Sequence, residues 1–320
     1  MPRRLPPLAL ALALAVPAAA AQGLAGKVWH SFSDLGNPAG TFAMNPNTGE
    51  SVRVQDRQHG IPWPDGTRHV SVDYTSSGRS GDTRFTVRRT ADQSVLVDQT
   101  VDGDFSTVTP SPAGASRILA RWSQNTVGQR AVVVWDFDQQ KLLFATPPSD
   151  TPDAIAWMPD GTLLRAQRSG AISRITLGSA EAPLGTVSWP ESRVPLNAFV
   201  SPDGTQALVQ LVKLRESGRV DSSDLWMMDL RSTRLRRYTN NGLVPYAVWS
   251  PDGRTVAFAK DTGYSCSEAT CYGSCTVWHA PSSASDVRAR ATSGDAREFP
   301  LKRPDGSTTT LRCPVVAWTR

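Results

Sequence analysis

The chain has 320 residues, of which 39 % are hydrophobic and 20 % are charged. This composition is typical of a globular protein and excludes a disordered, fibrous or membrane-embedded chain. The formal net charge is +5, and the basic residues are scattered rather than gathered into a run. A nucleic-acid partner is therefore not predicted.

Residues 1–21 have the layout of a secretory signal peptide. Two arginines near the start precede an unbroken run of Leu, Ala and Val at 8–16, and alanines at 19–21 supply small residues for cleavage. The apolar run is too short to span a membrane. We therefore expect cleavage after Ala21, a single mature domain at residues 22–320, and a location in the periplasm or outside the cell.

Three short strands are predicted at the start of the mature chain, at residues 27–32, 40–44 and 50–54. One tetrapeptide then recurs five times, with its second residue spaced 43 to 49 positions apart. The five copies are Trp63-Pro64-Asp65-Gly66, Ser111-Pro112-Ala113-Gly114, Met158-Pro159-Asp160-Gly161, Ser201-Pro202-Asp203-Gly204 and Ser250-Pro251-Asp252-Gly253. An apolar run precedes most copies and a second strand usually follows, so each copy predicts a hairpin.

The tetrapeptide suits a tight turn because each residue has a role in it. Proline presets φ at the second position, aspartate bonds the backbone ahead of it, and glycine accepts the left-handed conformation that closes the hairpin. The turn aspartates are therefore interpreted as structural. Arg303-Pro304-Asp305-Gly306 has similar letters but no apolar run before it, and is interpreted as an unrelated turn.

Two more strands complete each unit, most clearly at residues 225–230 and 235–239. The same plan is predicted at 84–88 with 95–99, 131–137 with 142–145, and 171–175 with 185–189. Four short strands per roughly 45 residues is the pattern of propeller blades. Tryptophans that recur in first strands (Trp63, Trp157, Trp249 and Trp318) are interpreted as packing between blades.

The two ends of the chain complete one further blade. Residues 314–320 resemble the first strand of a unit, and the three N-terminal strands supply the rest. The sequence therefore predicts an all-β, six-bladed propeller with four antiparallel strands per blade, closed by the C-terminal strand. Closure would remove the exposed sheet edges of an open ring.

The repeat resembles that of TolB-type propellers. The segment Tyr246-Ala247-Val248-Trp249-Ser250-Pro251-Asp252-Gly253, preceded by Leu225-Trp226-Met227-Met228-Asp229, carries the resemblance. It implies a WD40-like propeller and protein–protein contacts in the bacterial envelope. TolB proteins carry an additional N-terminal α/β domain, which we do not expect in this chain.

The loops of such a ring fall on two faces. The tetrapeptide turns lie on one, which we call the turn face, and the loops after second and fourth strands lie on the other, the long-loop face. Long loops are predicted on the latter at 74–83, 123–130, 213–224, 261–274 and 294–312. Because binding residues concentrate on loops held by a rigid scaffold, we expect the long-loop face to be the working face.

Four cysteines, Cys266, Cys271, Cys275 and Cys313, are candidates for two structural disulfides, as expected of an exported chain. Cys313 precedes the last strand, and its partner is predicted to be Cys275 or Cys266, which the sequence leaves open. A four-thiolate zinc site is the less favoured alternative because the spacing differs from paired Cys-x2-Cys.

No catalytic, cofactor-binding or metal-binding set is predicted, since nucleophile-elbow and phosphate-loop patterns are absent from the sequence. His59, in a loop near the channel mouth, is the one histidine proposed for the binding face. His30 and His279 are interpreted as ordinary strand residues. Loop carboxylates Asp102, Asp104, Asp150 and Asp153 form no recognisable set.

The function that the sequence favours is an exported, monomeric binding module without a cofactor. Its partner is expected to be a protein or peptide of the cell envelope, with a glycan as a further possibility. The alternative is a propeller enzyme, a hydrolase or lyase acting on a glycan or small substrate at the channel mouth. Enzyme activity is thus left open, with the binding module preferred.

Overall fold

The computed structural model of the protein describes residues 23–31, 40–56, 60–75, 81–123, 130–150, 153–216, 220–267 and 270–320. The expected signal peptide and His59 lie outside these residues. Within them the regular secondary structure is β-strand, apart from one 3-10 turn at Pro190–Ser192. The all-β fold class is confirmed.

Twenty-six strands follow one another along the described part of the chain. In chain order they are β1 (Lys27–His30), β2 (Gly40–Met44), β3 (Ser51–Asp56), β4 (Gly60–Pro62), β5 (Arg68–Thr75), β6 (Asp82–Arg89), β7 (Val95–Asp102), β8 (Asp104–Pro110), β9 (Arg117–Ser123), β10 (Ala131–Asp136), β11 (Lys141–Ala145), β12 (Ala154–Trp157), β13 (Leu163–Ala166), β14 (Ala171–Ile175), β15 (Ala182–Thr186), β16 (Val194–Val200), β17 (Gln206–Leu214), β18 (Val220–Asp229), β19 (Leu235–Arg237), β20 (Ala247–Trp249), β21 (Thr255–Ser267), β22 (Thr270–Pro281), β23 (Arg297–Glu298), β24 (Pro300–Lys302), β25 (Thr308–Thr310) and β26 (Val315–Thr319).

These strands form six four-stranded antiparallel blades within the described part of the chain. Blade I is β26-β1-β2-β3, and blades II to VI are β4–β7, β8–β11, β12–β15, β16–β19 and β20–β23, each running from an inner to an outer strand. The six inner strands surround a central channel. The predicted six-bladed propeller is confirmed.

The two ends of the chain share blade I. β26 pairs antiparallel with β1, placing Lys27 opposite Thr319 and Val28 opposite Trp318. β26 also lies beside the inner strands β20 and β4 of the neighbouring blades. The closure predicted from the sequence is therefore present, and the ring has no open blade edge at this junction.

The tetrapeptide turns have the predicted geometry, as the copy in blade V shows. Gly204 has a φ of 71°, and its N–H donates to the carbonyl oxygen of Ser201 at 2.9 Å. The Asp203 Oδ1 accepts the N–H of Thr205 at 3.1 Å. The aspartate and the glycine therefore serve the turn itself.

The core lies between the faces of neighbouring blades, where apolar residues from adjacent sheets meet. Tryptophans in or next to the inner strands are part of it, and the indole N–H groups of three of them reach a neighbouring blade. The donated bonds are Trp157 Nε1 to the Thr109 oxygen (2.9 Å), Trp249 Nε1 to the Phe199 oxygen (2.9 Å) and Trp63 Nε1 to the Ala115 oxygen (3.2 Å). The predicted packing role of these residues is confirmed.

An additional hairpin, β24–β25, lies outside the blades. Arg303-Pro304-Asp305-Gly306 is its turn, so the interpretation of this segment as unrelated to the repeat is confirmed. The flanking Phe299 is buried and contacts Trp318 edge to face, at 5.5 Å between ring centroids. This hairpin therefore packs against the blade that closes the ring.

Several segments that were predicted as loops are strands. β21 and β22 pair from Thr255 opposite Pro281 to Ser267 opposite Thr270, whereas the inner strand β20 pairs no farther than Phe258. The expected loop at 261–274 is thus a two-stranded extension, and we call residues 261–275 the ribbon. Its Gly-, Ser- and Cys-rich sequence lacks the apolar alternation that predicts a strand, so sequence patterning does not reveal it.

The fourth strand of blade IV is also displaced from its prediction. It was expected at 185–189, but β15 spans Ala182–Thr186, and a bulge at Leu184 lets Arg174 of β14 pair with Ala182. The expected loop at 294–312 likewise contains β23, β24 and β25. None of these shifts alters the blade order.

Candidate functional site

A central cavity of about 470 Å³ occupies the channel and extends to the turn face. Its walls are mainly residues of the six inner strands, with further residues from β9 and β10 of blade III. Its rim on the turn face is formed by Arg320 and by the prolines of the five tetrapeptide turns, which are Pro64, Pro112, Pro159, Pro202 and Pro251. The cavity therefore reaches the face that the sequence reasoning interpreted as scaffold.

The walls of this cavity are mainly aliphatic. Ile155 and Ala198 line it from two blades and are under 10 % exposed, and Val248 contributes from a third. Such surfaces bind ligands by removing apolar area from water. Polar groups are few among the described lining residues.

Arg121 is a charged residue of the cavity lining. It starts from β9 in blade III and reaches blade V, where its Nη2 donates to the Leu196 carbonyl oxygen at 2.7 Å and to Asn197 Oδ1 at 2.8 Å. Burial lowers the pKa of Arg121, and the positive charge of Arg130 acts in the same direction. Sequence reasoning missed this residue, because its partners lie 75 and 76 positions away.

The acceptors of Arg121 are themselves held in place. Asn197 Nδ2 donates to Gln210 Oε1 at 2.6 Å, and Gln210 Nε2 donates to the Val244 carbonyl oxygen at 2.8 Å. This chain of bonds runs through the wall of blade V toward blade VI. It fixes the orientation of the Asn197 side chain and hence the position of the guanidinium.

The four loop carboxylates do not converge. Of Asp102, Asp104, Asp150 and Asp153, only the last lines the cavity, and its Oδ2 pairs with Arg165 Nη2 at 2.7 Å. Arg165 in turn pairs with Glu181 at 3.0 Å. In the described ranges no group of three or more His, Cys, Asp or Glu side chains has the arrangement of a metal site.

The ribbon dominates the described part of the long-loop face. Cys275, at its base, forms a disulfide with Cys313, with 5.5 Å between the two Cα atoms. The Cys313 N–H also donates to the Cys275 carbonyl oxygen at 3.3 Å, and Thr276 bridges to Arg312. Of the two partners that the sequence left open for Cys313, the structure has Cys275. The base of the ribbon is therefore fixed to the segment that leads into β26.

The other two cysteines lie toward the tip. Cys266 and Cys271 are opposite each other in the β21–β22 register. Their pairing as a second disulfide stays a prediction. His59, the proposed binding-face histidine, lies outside the described residues.

A buried carboxylate orders another loop on the long-loop face. Asp224 is fully buried and accepts bonds from Arg237 Nη2 at 2.8 Å and Thr239 Oγ1 at 2.9 Å. It also accepts the backbone N–H groups of Asn241 at 2.8 Å and Gly242 at 3.3 Å. The loop before β20 is thereby held rigid. An aspartate in a predicted loop was the only sign of this cluster in the sequence.

Of the histidines in the described residues, His30 and His69 are buried and His279 is partly buried. Burial lowers the pKa of His30, His69 and His279 to about 4, with nearby Arg88 and Arg297 adding to the effect at the last two. These side chains are neutral at pH 7. The positions of His30 in β1 and of His279 in β22 agree with their interpretation as strand residues, and His69 lies in β5.

The fold was compared with solved structures. TolB from Acinetobacter baumannii aligns with a TM-score of 0.51 and 14 % identity, over 83 % of this chain and 66 % of that one. The fold is TolB-like. A candidate 6-phosphogluconolactonase from Bacteroides uniformis aligns with a TM-score of 0.52 and 12 % identity, over 93 % and 98 % of the two chains. A candidate TolB from Agrobacterium tumefaciens gives 0.46 and 15 % identity, over 85 % and 97 %.

The alignment with the Acinetobacter TolB shows a TolB-like propeller architecture and no more. The chain spans 66 % of the length of the Acinetobacter TolB chain. The sequence matches no protein-family model and no curated protein. Among the helices of the described residues, none has the length and apolarity needed to cross a membrane.

Proposed function

We propose that this chain is an exported binding module whose long-loop face, with the ribbon at its centre, contacts a protein or peptide of the cell envelope. The observation that carries the proposal is the ribbon itself. The last residue of β21 that pairs with the inner strand β20 is Phe258. The ribbon continues beyond it, with β21 and β22 paired as far as Ser267 and Thr270. An element that extends beyond its four-stranded blade is best explained by contact with a partner.

The backbone of the ribbon suits strand addition. Beyond Asp261 and Cys275, the structure describes no third strand beside β21 or β22. Unpaired N–H and C=O groups along such edges can bond an extended segment of a partner. The edges between Tyr264 and Gly273 are the expected place of contact.

The base of the ribbon supports the same role. The Cys275–Cys313 disulfide and the Thr276–Arg312 bridge hold it to the rigid ring. A binding element that is fixed before contact loses less conformational entropy on binding. The disulfide also suits an oxidising compartment, in agreement with the proposed signal peptide at 1–21.

Site-specific photo-crosslinking tests this function in cells. A photoreactive residue is placed at Tyr272 in the ribbon or at Leu214 at the end of β17 on the same face. The control position is Ala113, an exposed residue of the turn face. We expect one envelope protein to crosslink from Tyr272 and Leu214 and not from Ala113.

The opposite pattern would reject the proposal. Crosslinks from Ala113 alone would place the partner on the turn face, and no protein crosslink from either long-loop position would rule out a protein partner there. We further propose a monomer, which light scattering of the purified protein would show as a mass of one mature chain.

A further inference from the structure

The guanidinium of Arg121 has no charged partner within the described residues. Its two acceptors, the Leu196 carbonyl and the Asn197 amide oxygen, are neutral and both bind Nη2. The Nε and Nη1 protons have no acceptor in the described ranges. The nearest charge that acts on it is that of Arg130, which is positive.

An unpaired cation in such a place is unusual. Arginine stays protonated in proteins, so the cavity carries a permanent positive charge. Arg121 is partly buried, and a charge that has lost part of its hydration is stabilised by a counter-charge. Its Nε and Nη1 are not among the buried unsatisfied atoms of the described residues, so an anion that enters the cavity can reach them.

The remaining cavity walls indicate what that anion is attached to. Ile155, Ala198 and Val248 are apolar residues of the same cavity wall. The other charged lining residues are engaged or distant: Asp153 pairs with Arg165, and Asp65 and Arg320 lie at the rim. An apolar body with a single anionic end matches this distribution.

We propose that the central cavity binds a small organic carboxylate, with its apolar body between the inner strands and its carboxylate on Arg121. The Nε and Nη1 protons lie on different sides of the guanidinium, and either can donate a charge-assisted hydrogen bond to an oxygen of a carboxylate. A volume of about 470 Å³ falls in the range of small-ligand pockets. The ligand enters from the turn face, so this site is independent of the partner proposed for the long-loop face.

Isothermal titration at pH 7.5 with octanoate and with octanamide tests the proposal. The amide has the same chain and no charge. We expect octanoate to bind one to one and at least tenfold more tightly than octanamide, as charge-assisted hydrogen bonds imply. Arg121→Gln should weaken octanoate 10- to 100-fold and leave octanamide unchanged.

Two further variants control the measurement. Arg130→Gln removes a neighbouring exposed charge that does not line the cavity, and it should leave octanoate binding within about twofold of the wild type. Val248→Phe narrows the cavity but keeps Arg121, and it should weaken octanoate and octanamide to the same extent. The glutamine at position 121 keeps a donor for Leu196 and Asn197, and circular dichroism would verify its fold.

The site is refuted by any of three results. One is equal affinity for octanoate and octanamide in the wild type. Another is octanoate binding that Val248→Phe does not weaken. This second test does not depend on whether Arg121→Gln folds. The third is displacement of octanoate by inorganic phosphate at equal affinity, which would show a general anion site and not a carboxylate site.

Discussion

The Cys275–Cys313 disulfide should contribute strongly to the stability of the closed ring. We consider replacement of both cysteines by serine, which leaves no unpaired thiol at this position. The two residues are 38 positions apart. In the chain-entropy model a loop of this length contributes about 4 kcal/mol to the free energy of unfolding, by restricting the unfolded chain. For a domain of this size that corresponds to a fall in Tm of roughly 6 °C.

Urea denaturation followed by tryptophan fluorescence measures this effect. The matched control replaces Cys266 and Cys271, which are register partners only five positions apart. A bridge there would contribute about 2 kcal/mol, so the control should lose about half as much stability. If the Cys275/Cys313 variant unfolds at the same urea concentration as the wild type, the disulfide does not secure the closure.

Three further predictions concern the buried groups of the ring. The pKa values of His30, His69 and His279 are about 4 in the folded protein, below the unfolded value near 6.5. Their contribution to the free energy of unfolding is therefore fully present above pH 6.5 and is lost as the pH falls toward 4. Urea midpoints at pH 5 should show a loss of about 2 kcal/mol per histidine relative to pH 7.5, and His69→Asn should flatten the profile. Trp157→Phe removes the indole bond to the Thr109 oxygen between blades and should cost about 1 kcal/mol beyond lost packing, measured in the same way. Asp224→Ala leaves Arg237 without its buried partner and should lower the free energy of unfolding by about 3–5 kcal/mol. Asp224→Asn keeps part of the hydrogen bonding and should cost less. Equal losses in the two variants would contradict this expectation.

Much of the ring could be predicted because its signals are local. Each Pro-Asp-Gly turn is specified by residues within four positions, as the bonds of Asp203 to Thr205 show. The closure of the ring could be predicted because the chain has one strand of an incomplete blade at its C-terminal end and three strands at its N-terminal end. These features need no knowledge of distant contacts.

The ribbon and the cavity could not be predicted on this basis. The strands at 261–275 carry no apolar alternation, and it is the hydrogen bonding between them that defines them as strands. Arg121 lies in a strand whose neighbours in sequence do not reveal its partners in blade V. The sequence left two partners open for Cys313, because the pairing depends on how the base of the ribbon meets the last strand.

Crosslinking from Leu214 in a ribbon-shortened variant tests the proposed binding face most directly. Residues 263–273 are replaced by a two-residue turn while Cys275 and Cys313 are kept, and the control shortens the exposed turn at 303–306. If the ribbon holds the partner, the crosslink from Leu214 disappears in the first variant and persists in the second. Undiminished crosslinking in the ribbon-shortened variant would contradict a binding role for the ribbon.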